Sequence, residues 1–119
     1  PDEMDEIAAA LIEMADASRA DLIITTGGTG LGPRDITPEA TMMVIDRQVP
    51  GMAEAMRAAT LTKTPRAMLS RGICGIRGST LIINLPGSPK GVSENLSAVI
   101  EVLPHALGIL TGYEGEHSG

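Results

Sequence analysis

The stretch DLIITTGGTGLGPRD, residues 21–35, runs from a short apolar segment into four glycines, a proline and the Arg34–Asp35 pair. The apolar part is brief and rich in β-branched side chains, which predicts a buried strand of the kind found in parallel sheets. Glycine in an ordered chain costs backbone entropy, so a cluster implies positive φ or another group packed against the main chain. Thr37 and Pro38 follow, an N-cap hydroxyl ahead of a proline at the first helical position. Strand, glycine loop, helix is the order that lets backbone N–H groups and a helix N-terminus face an anion. The loop has neither the G-K-[ST] of a Walker A sequence nor the spacing of G-x-G-x-x-G. On the residues alone, a phosphate-binding loop and an ordinary tight turn stand level. Asp35 is an Asx-turn residue leading into the next helix, or a hard oxygen ligand placing Mg²⁺ over bound phosphates. Arg34 braces a phosphate or is simply solvated.

On the N-terminal side, Met4, Ile7, Ala8, Leu11 and Ala15 recur at helical spacing. They predict an amphipathic helix over 3–18, with Asp2 as its N-cap. On the other side a helix is expected over 38–47, ended by Pro50, with a turn at Pro50 and Gly51. A second helix covers 52–61, and RAMLS, 66–70, reads as a short strand or extended piece. GICGIRGSTLIINLPG reads as two strands around GS, a hairpin-like element closing on a second Gly/Pro loop. Ser88 and Pro89 repeat the cap-and-proline pattern. Val92, Leu96, Val99, Ile100, Leu103 and Leu107 then mark a long helix, bent or broken at Pro104. Helices alternating with buried strands predict an α/β fold: a three-layer sandwich with a mainly parallel sheet, helices on both faces and a small hairpin. Ligands of such sheets bind beyond the carboxyl ends of the strands. Loops 27–32 and 86–91 each fall after a strand and before a helix, which puts both on that edge. The second loop also brings Lys90 close to a helix start, suiting a purine edge or a phosphate.

The 119 residues suffice for one domain, taken as 1–112 with a polar tail at 113–119. With one Tyr and no Phe or Trp, the core must be built from aliphatic residues and the seven Met. The same shortage removes the aromatic platforms of single-strand binding, and a net charge of −6 without a Lys/Arg cluster argues against nucleic acid and anionic membranes. Cys74 reads as a small buried hydrophobe, since a lone cysteine forms no internal disulfide and no metal-type Cys/His spacing is present. A cytoplasmic location is the default. Ser70 with Arg71, and Arg77, suit a phosphate, though surface ion pairing is the commoner reason for such residues; His105, beside Pro104, reads as structural. The opening PDEMDEI enters a helix with neither an initiator methionine nor a leading strand, so the N-terminal part of the domain is expected to be missing from this sequence.

Longer motifs narrow these alternatives. TTGGTGLGPRD fits the signature of molybdenum-cofactor biosynthesis proteins: glycine-glycine-threonine-glycine, a four-residue spacer, then aspartate. ITPEAT, PGMAEAMR, MLSRGICGIRGSTLIINLPGSPKG and LPHAL continue the pattern in order. The chain resembles the molybdopterin adenylyltransferase family, which includes the Mog proteins and the gephyrin G domain, over residues 1–112. The initial PDE is similar to the family's segment around a functional aspartate. The resemblance implies transfer of AMP from Mg²⁺·ATP to the terminal phosphate of molybdopterin, with release of pyrophosphate. It makes Asp35 and Asp2 the catalytic carboxylates and the Mg²⁺ ligands. It places the backbone of Gly27, Gly28, Thr29 and Gly30, with Arg34, at the phosphates, and Ser70 at the pterin or its phosphate. Asn84, Pro86, Gly87 and Ser88 would border the adenylate pocket. A homotrimer is implied as well, with room for a partner protein that inserts molybdenum. Two alternatives accompany this reading: a molybdopterin-binding or scaffold domain without adenylylation, and a dinucleotide pyrophosphatase of the competence-damage type, against which GIRGSTLIINLPG counts.

Overall fold

The computed structural model describes residues 2–112. Asp2 caps the first helix, its Oδ1 accepting from the Met4 N–H at 3.0 Å, with Glu3, Asp5 and Glu6 placed favourably in the positive first turn. Helix α1 (Glu3–Ile12) continues through a π-helical turn, Glu13–Ala17, into strand β1 (Leu22–Thr26). After the glycine loop come α2 (Thr37–Val44), β2 (Arg47–Gln48), α3 (Pro50–Leu61) and a 3₁₀ turn, Pro65–Leu69. The chain closes with β3 (Cys74–Arg77), β4 (Thr80–Leu85), α4 (Pro89–Val99) and α5 (Leu103–Leu110).

The strands form one sheet in the order β1-β4-β3-β2. Every residue of β4 is buried, and its alternate side chains serve two cores. Leu81, Ile83 and Leu85 meet Met52, Ala53 and Met56 of α3, Val99 of α4 and Leu103 of α5. Ile82 turns to the other face, among Ala8 and Leu11 of α1, Ala15, Ile23 and Val44 of α2. The α/β class, the helical layers on both faces and the hairpin agree with the sequence reading. The sheet, expected to be mainly parallel, is mixed: β1 and β4 run parallel, from Leu22↔Leu81 to Thr26↔Leu85, while β3–β4 and β2–β3 are antiparallel. The tight turn at Gly78 and Ser79 forces the β3–β4 sense, with Gly78 at φ +60.

Other boundaries moved for local reasons. The helix expected over 38–47 stops at Val44, because Ile45 turns extended and 46–49 pair with β3: Asp46 N–H donates to Ile76 and Val49 N–H to Cys74. Ile45 packs so closely on Gly75 that a Cβ there would stand 2.6 Å from its Cδ1. Pro50 begins α3 instead of making a turn, and its missing N–H is harmless in the first turn. Residues 65–69 form the 3₁₀ turn, not a strand; Thr64 caps it at Arg66 N–H. Pro104 likewise sits in the first turn of α5, so the break between the last two helices falls at 100–102. Thr37 is not the N-cap of α2; Ile36 holds that position, without a side-chain cap. The polar tail expected at 113–119 lies outside the described residues.

Candidate functional site

The two glycine loops lie side by side at the carboxyl ends of β1 and β4. Gly27 N–H donates to Leu85 C=O at 2.9 Å, and a Cβ on Gly87 would stand 3.4 Å from the Gly27 Cα. Gly27 and Gly28 have φ of +88 and +71, conformations that side chains resist. At Gly28 an added Cβ would also fall 2.2 Å from the Thr37 Oγ1. At Gly30 and Gly32 it would meet the Asp35 Oδ2 at 2.9 Å. The groups packed against this backbone are the chain's own: a hydroxyl, a carboxylate and the neighbouring loop.

Asp35 folds back over the loop, Oδ2 accepting from Gly32 N–H at 2.9 Å, while its own N–H donates to Gly32 C=O at 3.0 Å. The forward Asx turn into the next helix read from the sequence is not formed: Thr37 N–H donates to Gly28 C=O, and the Asp35 carboxylate reaches back across the loop instead. Arg34 pairs with Glu3, which ties the start of α1, and with it the Asp2 cap, to the loop. Among the described residues no three Asp, Glu, His or Cys side chains converge on a metal site. The donor set still suits Mg²⁺, a hard cation commonly held by one or two carboxylates with substrate phosphates completing its shell. Asp35 is the carboxylate on the loop, while Asp2 caps α1, whose start is tied to the loop by the Arg34–Glu3 pair.

Arg71 is the best-connected side chain of the region. Its backbone N–H donates to Thr29 C=O at 2.8 Å, and Nε to Gly30 C=O at 2.7 Å. Nη2 donates to Asp35 C=O, and the fork grips Glu39 through both oxygens, Nη1 to Oε2 at 2.5 Å and Nη2 to Oε1 at 3.3 Å. That hydrogen bond holds the Glu39 carboxyl below its ordinary range, and Arg71 is raised by the same partner. The sequence reading gave Arg71 no more than a phosphate contact or a surface ion pair, because the loop it serves lies some forty residues away, as Nε to Gly30 shows.

Beside the second loop opens a cleft of about 360 Å³ whose walls include Ser70, Pro86 and Ser88 together with Lys63, Arg66 and Lys90. Lys63 reaches Glu94 at 3.9 Å, the one carboxylate in that wall. Ser88 caps α4 by accepting from Gly91 N–H at 3.0 Å, so the positive end of that helix adjoins the cleft. Three of the residues expected to contact substrate thus share one cavity with Lys90, flagged from the second loop, and with Lys63 and Arg66, which the sequence reading did not flag. Two expectations change. Gly27 has its N–H committed to the sheet, so its part in the loop is conformational. Asn84 is 2% exposed. Its Nδ2 donates to Thr25 and Thr41, and its Oδ1 accepts from Ile73 N–H. It bolts β4 to β1 and α2 beneath the loops instead of bordering the cleft. Arg57 does similar work from α3, donating to the Ser70 and Gly72 carbonyls at 3.3 and 2.9 Å. Cys74 is buried, its thiol pushed up to about 12 by loss of water, and takes no part in the site.

The chain is 49% identical over 111 residues to the molybdopterin adenylyltransferase of Helicobacter pylori strain J99, covering 93% of this chain and 63% of that protein. It therefore spans less than two thirds of that relative's length. Among solved structures, the molybdopterin biosynthesis enzyme MoaB of Thermus thermophilus superposes with a TM-score of 0.87 at 61% identity, over 94% of this chain and 70% of that one. The molybdopterin biosynthesis Mog protein of Mycobacterium ulcerans does so with 0.84 at 49% identity, over 89% and 69%. With both loops on one sheet edge, residues 1–105 match the family described as "Probable molybdopterin binding domain", and this chain belongs to that family.

Proposed function

We propose that this chain adenylylates molybdopterin, using Mg²⁺·ATP and releasing pyrophosphate. One observation carries the reading: the glycine loop with the Asp35 carboxylate folded over it packs at Gly27 against the 86–91 loop, which lines a cleft walled by Lys63, Arg66 and Lys90. A carboxylate, backbone donors and cations on one sheet edge suit two polyanions brought together in a protein of net charge −6. An oxygen of the pterin's terminal phosphate attacks the α-phosphorus of ATP. The new P–O bond forms as the bond from the α-phosphorus to the bridging oxygen breaks, and that electron pair leaves with pyrophosphate. Positioning and charge neutralisation carry such a step, since little covalent work falls to side chains. The N–H groups of Gly28, Thr29 and Gly30 bind the phosphates, with Arg34 at the loop's rim. Ser70 contacts the pterin or its phosphate; Pro86, Gly87 and Ser88 border the adenylate. Asp35, with Asp2, would hold Mg²⁺, which supplies charge neutralisation for the phosphates and the departing pyrophosphate.

The test is a turnover assay on the full-length protein with molybdopterin and α-labelled ATP. Label should enter the pterin with free pyrophosphate as co-product, and EDTA should stop the transfer. Asp35→Asn keeps an oxygen for Gly32 N–H, so the loop should survive while turnover falls by about 100-fold or more. Cleavage of ATP to ADP, or label that never reaches the pterin, would overturn the assignment. The same reading carries a homotrimer, checked by light scattering, a cytoplasmic setting and a partner protein that inserts molybdenum.

A further inference from the structure

We infer that Arg71 is the positioning residue of the glycine loop: it orients the loop's N–H groups toward phosphate without touching substrate itself. In a trans peptide the C=O of one residue and the N–H of the next point in opposite directions. Arg71 draws three carbonyls toward itself: that of Thr29 through its backbone N–H, and those of Gly30 and Asp35 through its guanidinium. The N–H groups of Gly30, Leu31 and Ile36, which share those peptide planes, are thereby turned away from it. Glu39 fixes the fork from the opposite side through both carboxylate oxygens. The guanidinium thus has its plane set by α2 and its edge set by the loop. Four of its five N–H donors act on these partners, an arrangement that the single ammonium of lysine cannot copy. A loop with two successive residues at positive φ has many alternative peptide orientations. Arg71 selects one of them before any ligand arrives, which spares binding the ordering entropy.

The inference rests on the loop being the phosphate cradle, and the experiment separates the two claims. Amide resonances of Leu31 and Ile36, whose peptides the guanidinium holds, are followed in the full-length protein while Mg²⁺·ATP is added, for wild type, Arg71→Lys, Arg71→Met and Glu39→Gln. In wild type both resonances should shift on binding. Loss of charge-assisted hydrogen bonds should weaken ATP binding by about 10- to 100-fold in Arg71→Met. Arg71→Lys should recover part of that, and Glu39→Gln, which leaves the carbonyl contacts in place, should change it by about threefold or less. If Arg71→Met does not fold, the lysine variant decides the matter: a folded Arg71→Lys whose loop amides and ATP affinity match wild type overturns the positioning role alone. Wild-type loop amides that do not move with Mg²⁺·ATP overturn the cradle reading and the role of Arg71 together. A variant destabilised only globally would show a lower melting temperature with unchanged loop shifts and affinity below the transition, and that result also refutes the inference.

Discussion

At Gly28 two separate penalties coincide, positive φ and a side-chain clash. Gly78 has a similar φ of +60 but nothing within 4 Å of an added Cβ, so it isolates the first penalty. Gly78→Ala should destabilise by about 1 kcal/mol. Gly28→Ala should exceed that by a further 1–2 kcal/mol or so, because its methyl group meets the Thr37 hydroxyl. Combining Gly28→Ala with Thr37→Ala should recover part of the excess, since the nearest atom is then gone and the Thr37 Cβ, at 3.2 Å, remains. Urea denaturation of the three variants beside wild type reads all of this. Equal losses at the two glycines would show that the loop yields easily, which would weaken its case as a preformed cradle. The glycine cluster was legible as a cluster from the sequence, but its cause was not. A phosphate pressed against the backbone and a threonine further down the chain would demand glycine equally.

Between elements, Arg77 joins three pieces of chain. It grips both oxygens of Asp16 in the π-helical turn, at 3.0 and 2.8 Å, and donates to the Val44 carbonyl at the end of α2, at 2.7 Å. The Asp16 pair is largely exposed and contributes little by itself, whereas the bond to Val44 is partly buried. Arg77→Ala should therefore destabilise by about 1–2 kcal/mol, and Asp16→Asn by clearly less, both read by chemical denaturation. The pH response follows from direction. The Arg77 bond lowers the Asp16 carboxyl from its ordinary 3.8, and Arg71 lowers Glu39 from 4.5. A carboxylate whose folded value lies below its unfolded one adds stability above the unfolded value. That stability disappears as the pH falls through the folded value. Thermal midpoints measured from about pH 6 down to about pH 2 should fall in this acid range, and less steeply in the Asp16→Asn, Glu39→Gln double variant. Identical profiles would remove both pairs from the acid response. Helix starts were readable in this chain wherever a cap was local, at Asp2 and Ser88. Thr37 failed as a cap because it already lies inside α2 and its backbone N–H is taken by the Gly28 carbonyl, a contact set by tertiary packing.

For the molecule as a whole, β4 is the shared wall of two cores. Ile82 and Ile83 are adjacent and both fully buried, yet they belong to different clusters on opposite faces of the sheet. Ile82→Val and Ile83→Val should each cost about 0.5–1.5 kcal/mol, and the double variant should equal their sum within about 0.5 kcal/mol. A larger coupling, measured by chemical denaturation, would mean that the sheet transmits strain and that the two layers are one core. The sheet also carries function to its rim, since β1 and β4 end together and so deliver both glycine loops to one edge.

The sequence by itself determined the α/β class, the hairpin, the caps at Asp2 and Ser88 and the two loops on one edge. Each depends on periodicity, turn chemistry or a side chain bonding within a few residues of itself. The tertiary structure alone decided the antiparallel β2–β3 pair, the strand at 47–48 where helix was expected to run to 47, the grip of Arg71 on the loop and the meeting of Lys63 and Arg66 with Lys90 around the cleft. Those features arise where segments far apart in the chain meet, and local pattern carries no information about such meetings.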